Sequence, residues 1–151
     1  MIRDDIKSAL VGAMKGGDKA GTQTMRMINS SIKNRDIELR TASAQTDDDA
    51  LVTDVLQKMI KQRRESVEMY TKGNRAELAA IETAEIAVIE RFMPAQMSEN
   101  EAKTEIAALI AETGASSMKD MGRVMALVRE RHATSIEPAR ASALVKALLS
   151  Q

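Results

Sequence analysis

Two groups of basic residues are the side chains in this sequence best placed to do chemistry, and that chemistry is anion binding. Lys19, Arg26, Lys33 and Arg40 recur every seven residues. On a helix this spacing forms a slowly drifting stripe, either a solvated face or a ridge that meets phosphates. Towards the C-terminus, Lys119, Arg123 and Arg129 flank Gly122 and Ala126, which leave a patch of low relief. Glycine inside a helix costs about 1 kcal/mol relative to alanine, so Gly122 implies close approach of either another helix or a ligand backbone. Arg140 and Lys146 continue the basic character. From Ala115 to Gln151 the bases Lys119, Arg123, Arg129, Arg131, Arg140 and Lys146 outnumber the acids Asp120, Glu130 and Glu137. From Ser98 to Gly114 one base, Lys103, faces Glu99, Glu101, Glu105 and Glu112. An anionic partner should therefore meet the last two helices, through Lys119, Gly122, Arg123, Arg129, Arg140 and Lys146, rather than the helix before them. A formal net charge of zero argues against a dedicated, strongly basic nucleic-acid binder.

Other chemistry finds little support. His132 is the sole histidine and there is no cysteine, so no nucleophile–base arrangement can be assembled and no catalytic residue is assigned. His132 falls near the end of a helix, where it should pack or favour the dipole. The run from Gly16 to Thr22 lacks the Lys-Ser/Thr pair and preceding strand of a phosphate loop, and reads as a helix break. Asp47, Asp48 and Asp49 lack the ligand spacing of a calcium loop and suit the positive end of a helix dipole, so neither a metal nor a cofactor is expected. Arg63 and Glu85 each fall in the middle of a helical apolar arc, which implies a structural ion pair or, less simply, a functional polar site.

The elements that must position these groups are helices. No alternating apolar run reads as a strand, and none approaches the length of a membrane span. The first helix runs from about Arg3 to Lys15 and ends at Gly16. Asp18 caps a second, about Lys19 to Ala42, with Met25, Ile28, Ile32 and Leu39 on its apolar face. The third begins at the aspartates and should bury Leu51, Val55, Leu56, Met59, Ile60 and Tyr70. After a tight turn at Gly73, Asn74 and Glu77 form a capping-box-like start to the fourth, which carries Leu78, Ile81, Val88, Ile89 and Phe92. Pro94 stops it. Ser98 with Glu101 caps the fifth, Gly114 ends it, Ser117 and Asp120 start the sixth, and Pro138 starts the seventh. The sequence thus predicts an all-α protein, with a four-helix N-terminal domain over residues 1–93 and a three-helix bundle over 94–151. One Phe, one Tyr and no Trp leave an aliphatic core filled by residues such as the eleven Met.

Four stretches carry a family resemblance: Met25 to Asn34 (MRMINSSIKN), Lys61 to Ser66 (KQRRES), Glu82 to Pro94 (ETAEIAVIERFMP) and Thr113 to Gly122 (TGASSMKDMG). In order and extent the chain resembles the YqeY family. That family is similar to the helical C-terminal tail of the B subunit of the glutamine-dependent aspartyl/glutamyl-tRNA amidotransferase. The resemblance implies four helices followed by three, and a role in holding tRNA. ATP-dependent activation and ammonia release belong to other parts of that enzyme, so a label of carbon-nitrogen ligase with glutamine as amido donor would rest on family similarity alone. The segment from His132 to Ser142 departs from the family's Gly- and Asp-containing turn, and no binding residue is carried over there. The expectation is a cytoplasmic tRNA-binding accessory module; the alternative is a protein-interaction module that docks onto an amidotransferase or an aminoacyl-tRNA synthetase. With so few aromatic residues, phosphate contacts would supply affinity and RNA shape the selectivity.

Overall fold

The computed structural model describes residues 1–41 and 47–151. Among them it is all-helical: α1 Ile2–Lys15, α2 Lys19–Leu39, α3 Asp48–Lys72, α4 Ala76–Glu90, α5 Glu99–Thr113, α6 Met121–His132 and α7 Pro138–Leu149, with a single 3-10 turn at Met118–Asp120. Backbone contacts divide the chain into two compact units, Met1–Met93 and Pro94–Gln151. The expected end of the second helix at Ala42 lies outside the described residues.

In the first unit, α1 to α4 enclose Ile6, Ile28, Ile32, Val52, Leu56 and Ile89, with Met59 and Ile60 at the margin. Asp18 caps α2 through Gly21 N–H (2.9 Å), and Asp47 caps α3 through Ala50 N–H (3.0 Å). All seven buried residues of α3 lie between Val52 and Ile60, and Ile89 alone is buried in α4. The far ends of α3 and α4 therefore have only each other to pack against, and two helices cannot cover both faces of either one. Tyr70 is consequently half-buried rather than buried, and Ile81 is 55% exposed. The start of α4 also differs from the capping box expected at Asn74. Arg75 is the N-cap residue and makes no side-chain cap bond, while Asn74 takes a left-handed φ of 57° that closes the hairpin. Asparagine tolerates that conformation better than most residues, so its turn chemistry wins over its capping chemistry.

The second unit buries Ala102, Ile106, Leu109, Val124, Ile136 and Val145 among α5, α6 and α7. Ser98 and Glu101 form a reciprocal capping box at the start of α5, and Gly114 ends it at φ 68°, a conformation that favours a residue without Cβ. The sixth helix starts later than expected. Asp120 accepts from Ser116 N–H (3.0 Å) and Ser117 N–H (3.3 Å), and this bond pattern tightens the first turn into the 3-10 form. Met118, the first residue of that turn, is 42% exposed. Pro138 occupies the first turn of α7, where its missing N–H costs nothing.

Candidate anion-binding surfaces

The side of α2 that carries Met25, Ile28 and Ile32 faces the core, and Lys19, Arg26, Lys33 and Arg40 are exposed on the other sides. Lys19, Arg26 and Lys33 form no ion pair among the described residues. The acids of this helix are occupied elsewhere. Arg35 holds Glu38 at 2.9 Å, and Arg3 bridges Asp36 (2.8 Å) and Asp48 (2.7 Å). The Arg3 guanidinium holds the Asp36 carboxyl below the usual carboxylate range, and Arg40 adds a weaker attraction in the same direction. Asp49 accepts from Ile2 N–H at 2.9 Å. Of the three aspartates, then, Asp47 caps α3 while the other two fasten α1. Sequence reasoning missed this cluster, because no local pattern links Arg3 to partners 33 and 45 residues away.

Arg63 and Glu85 meet between α3 and α4. Arg63 Nε donates to Glu85 Oε2 at 2.9 Å, and the side chains keep 13% and 22% exposure. Arg63 Nη1 also donates to the Met59 carbonyl (3.3 Å), and Nη2 lies 3.8 Å from the Met27 thioether, a weak acceptor.

The C-terminal candidates do not form one surface of free cations. Lys119, Arg129 and Lys146 are exposed and make no ion pair among the described residues. Arg123 is committed to Asp120 (2.6 Å) and approaches the Thr113 carbonyl (3.5 Å), so it organises the turn before α6. Arg140 is half-buried and donates to the Met97 carbonyl at 3.0 Å. Ser150 Oγ lies 3.7 Å from Met118 Sδ, which brings the end of α7 beside the 3-10 turn. Lys146 and Lys119 therefore share one end of this unit, and Arg140 stands at the other end of α7. Gly122 is exposed, and a Cβ built there would meet nothing within 4 Å. Within its own unit it lies against no helix, which removes one of the two reasons for a glycine at that place.

His132 Nε2 is 3.5 Å from Glu105 Oε2 with 14% side-chain exposure, and Arg131 grips Glu112 through two bonds of 2.6 and 2.7 Å. These contacts tie the end of α6 to α5. Among the described residues no group of three or more His, Asp or Glu is placed to hold a metal ion, and no helix is long and apolar enough to cross a membrane.

Four helices closed over an aliphatic core and three more over a second define the class: a two-unit, all-α protein with basic rows on its surface. The chain belongs to the YqeY family, since residues 3–149 match the profile described as Yqey-like protein. Similar yeast proteins carry the name "Altered inheritance of mitochondria protein 41, mitochondrial". The one from Lachancea thermotolerans is 31% identical over 92 residues, 61% of this chain and 46% of that protein. The Kluyveromyces lactis protein is 31% identical over 90 residues (60% and 47%), and that of Saccharomyces cerevisiae strain S288c is 29% identical over 93 (62% and 46%). The matched segment spans about half the length of these relatives.

Proposed function

We propose that this protein is a tRNA-binding accessory module, related to the tail of the tRNA-dependent amidotransferase and without that enzyme's catalytic parts. The observation that carries the reading is the row of Lys19, Arg26 and Lys33, exposed on α2 with no ion pair among the described residues. Lys119, Arg129 and Lys146 add a second, looser group. Three phosphates neutralised on either surface give a slope of log affinity against log salt of about −2 to −3, so binding is weak and fades near physiological salt. The module works where tRNA is found, in the cytoplasm; the names of the yeast relatives assign those proteins to mitochondria, which also use tRNA. Any carbon-nitrogen ligase label, with glutamine as amido donor, attaches through family resemblance.

The docking alternative draws support from one feature. Met69 (73% exposed) and Ile81 (55%) are exposed apolar side chains on the α3–α4 hairpin that a synthetase or amidotransferase helix would cover. A titration of labelled tRNA at two salt concentrations separates the readings. Wild type should bind at low salt, Lys119→Glu with Arg129→Glu should bind less, and Lys72→Glu with Lys103→Glu, whose lysines already sit beside Glu68 (2.7 Å) and Glu99 (3.9 Å), should match wild type. No binding at low salt would remove the tRNA reading and leave the docking one.

A further inference from the structure

A trough runs along α2, bordered by the end of α1 in its first section and by α3 in the other two. It begins where Gly17, Asp18 and Lys19 meet Arg26, continues as a recess of about 430 Å³ beside Arg26 and Arg63, and runs on past Asn34 to Glu38. Neighbouring sections share residues: Gln23 and Arg26 at one junction, Ser31, Met59 and Gln62 at the other. At 1.5 Å per residue the α2 wall is about 30 Å long.

The middle recess has an unusual lining. Two guanidiniums (Arg26, Arg63), two hydroxyls (Ser30, Ser31) and two amides (Gln23, Gln62) face it, and no carboxylate lines it. Glu85 holds Arg63 through Nε, and both Arg63 and Met27, whose thioether lies beside Nη2, line the recess. That donor set matches a singly charged oxyanion. Enclosure is low, so a small molecule would stay mostly in water, whereas drug-sized ligands are held where most of their surface is covered. Lys19, on the first section, repeats the positive charge about 10 Å from Arg26 along the wall, which a single carboxylate would not use.

We infer that this trough receives one phosphodiester strand of RNA, with Arg63 and Arg26 on a single phosphate and the serine hydroxyls and glutamine amides on the neighbouring sugar and phosphate oxygens. This rests on the RNA reading above and narrows its contact on α2 to the trough beside α3. Glu85 is then a positioning residue that holds the Arg63 fork.

The test uses the full chain and two probes, a fluorescein-labelled U12 oligonucleotide and labelled tRNA, each titrated at two salt concentrations. Arg26→Gln with Lys19→Gln alters two exposed side chains without ion pairs among the described residues, so the fold should persist by circular dichroism. We expect U12 affinity to fall about tenfold at low salt and the salt slope to shrink by about 0.7, the one phosphate that Lys19 meets, since Arg63 stays on the phosphate it shares with Arg26. Arg63→Lys keeps the charge and loses the fork, and should weaken U12 while leaving the slope nearly unchanged. Lys119→Glu with Arg129→Glu should leave U12 binding intact. If that C-terminal variant abolishes binding while Arg26→Gln with Lys19→Gln does not weaken it, the trough assignment is overturned and the RNA reading stands. If neither RNA binds wild type at low salt, both fall. Binding of a poly-glutamate peptide with the same response to the Arg26, Lys19 and Arg63 changes, and none of U12, would assign the trough to a protein carboxylate and overturn the inference.

Discussion

Removing either member of the Arg63–Glu85 pair should destabilise the first unit by an amount fixed by how dry the pair is. A fully buried ion stripped of its partner costs about 3 to 5 kcal/mol, an exposed one well under 1. Side-chain exposures of 13% and 22% place this pair between those limits but nearer the buried one. Water can reach the stranded group from the open recess beside Arg63. Glu85→Ala and Arg63→Ala should therefore each cost about 2 kcal/mol. The double change Arg63→Met with Glu85→Leu should cost less than either single truncation, because no charge is left unpaired and the aliphatic volume is kept. Urea unfolding followed by tyrosine fluorescence suits the question. Tyr70 lies on α3 and is the chain's one Tyr, with no Trp, so the signal reports on the first unit alone. Single truncations costing under 0.5 kcal/mol, or a double variant as costly as the two singles added, would refute the reasoning.

Gly122→Ala should stabilise the second unit by about 0.5 to 1 kcal/mol, since the position is helical with open space around a Cβ; Gly114→Ala, at φ 68°, should destabilise it by about 1 kcal/mol, both read by thermal melting. Limited proteolysis should cut between Met93 and Glu99, and the fragment covering residues 94–151 should remain helical by circular dichroism, because its buried core is complete within itself. Asp36 titrates below its usual value when folded, so its contribution is present above about pH 4 and is lost as pH falls through the lowered value. Asp36→Asn should flatten acid unfolding in that window without changing the neutral-pH helix content.

The helices were legible because their signals are local. Ser98 with Glu101, Gly114 and Pro138 each act within one turn, and period and punctuation together predict all seven helical segments. Local signals mislead where one residue type serves two purposes. Asn74 caps helices well and also tolerates positive φ, and the tight turn after Gly73 used the second property. Ile81 satisfies the apolar arc of α4, yet that arc outruns the helices available to cover it. Periodicity reports which face is apolar, and only the lengths of the neighbours decide how far that face is buried.

Candidate binding residues were legible by type and spacing but not by partner. Arg123 and Arg129 are alike in sequence and both exposed, yet Asp120 takes the first, and the second makes no ion pair among the described residues. The same pairing explains how a chain of zero net charge acquires positive surface. On α2 the acids Asp36 and Glu38 are neutralised by Arg3 and Arg35, and Asp18 is turned to the helix cap, so the cations of the stripe keep their field. Total charge therefore bounds long-range attraction and salt slope, while the arrangement of ion pairs decides where a phosphate meets an unopposed cation. It follows that freeing an acid should weaken anion binding as surely as removing a base. Arg35→Ala releases Glu38 beside the trough, and should lower RNA affinity in the direction of Arg26→Gln although Arg35 itself is already paired. Arg35→Ala with Glu38→Gln should restore it, and an Arg35→Ala variant that binds as well as wild type would show that the field along α2 does not govern the contact.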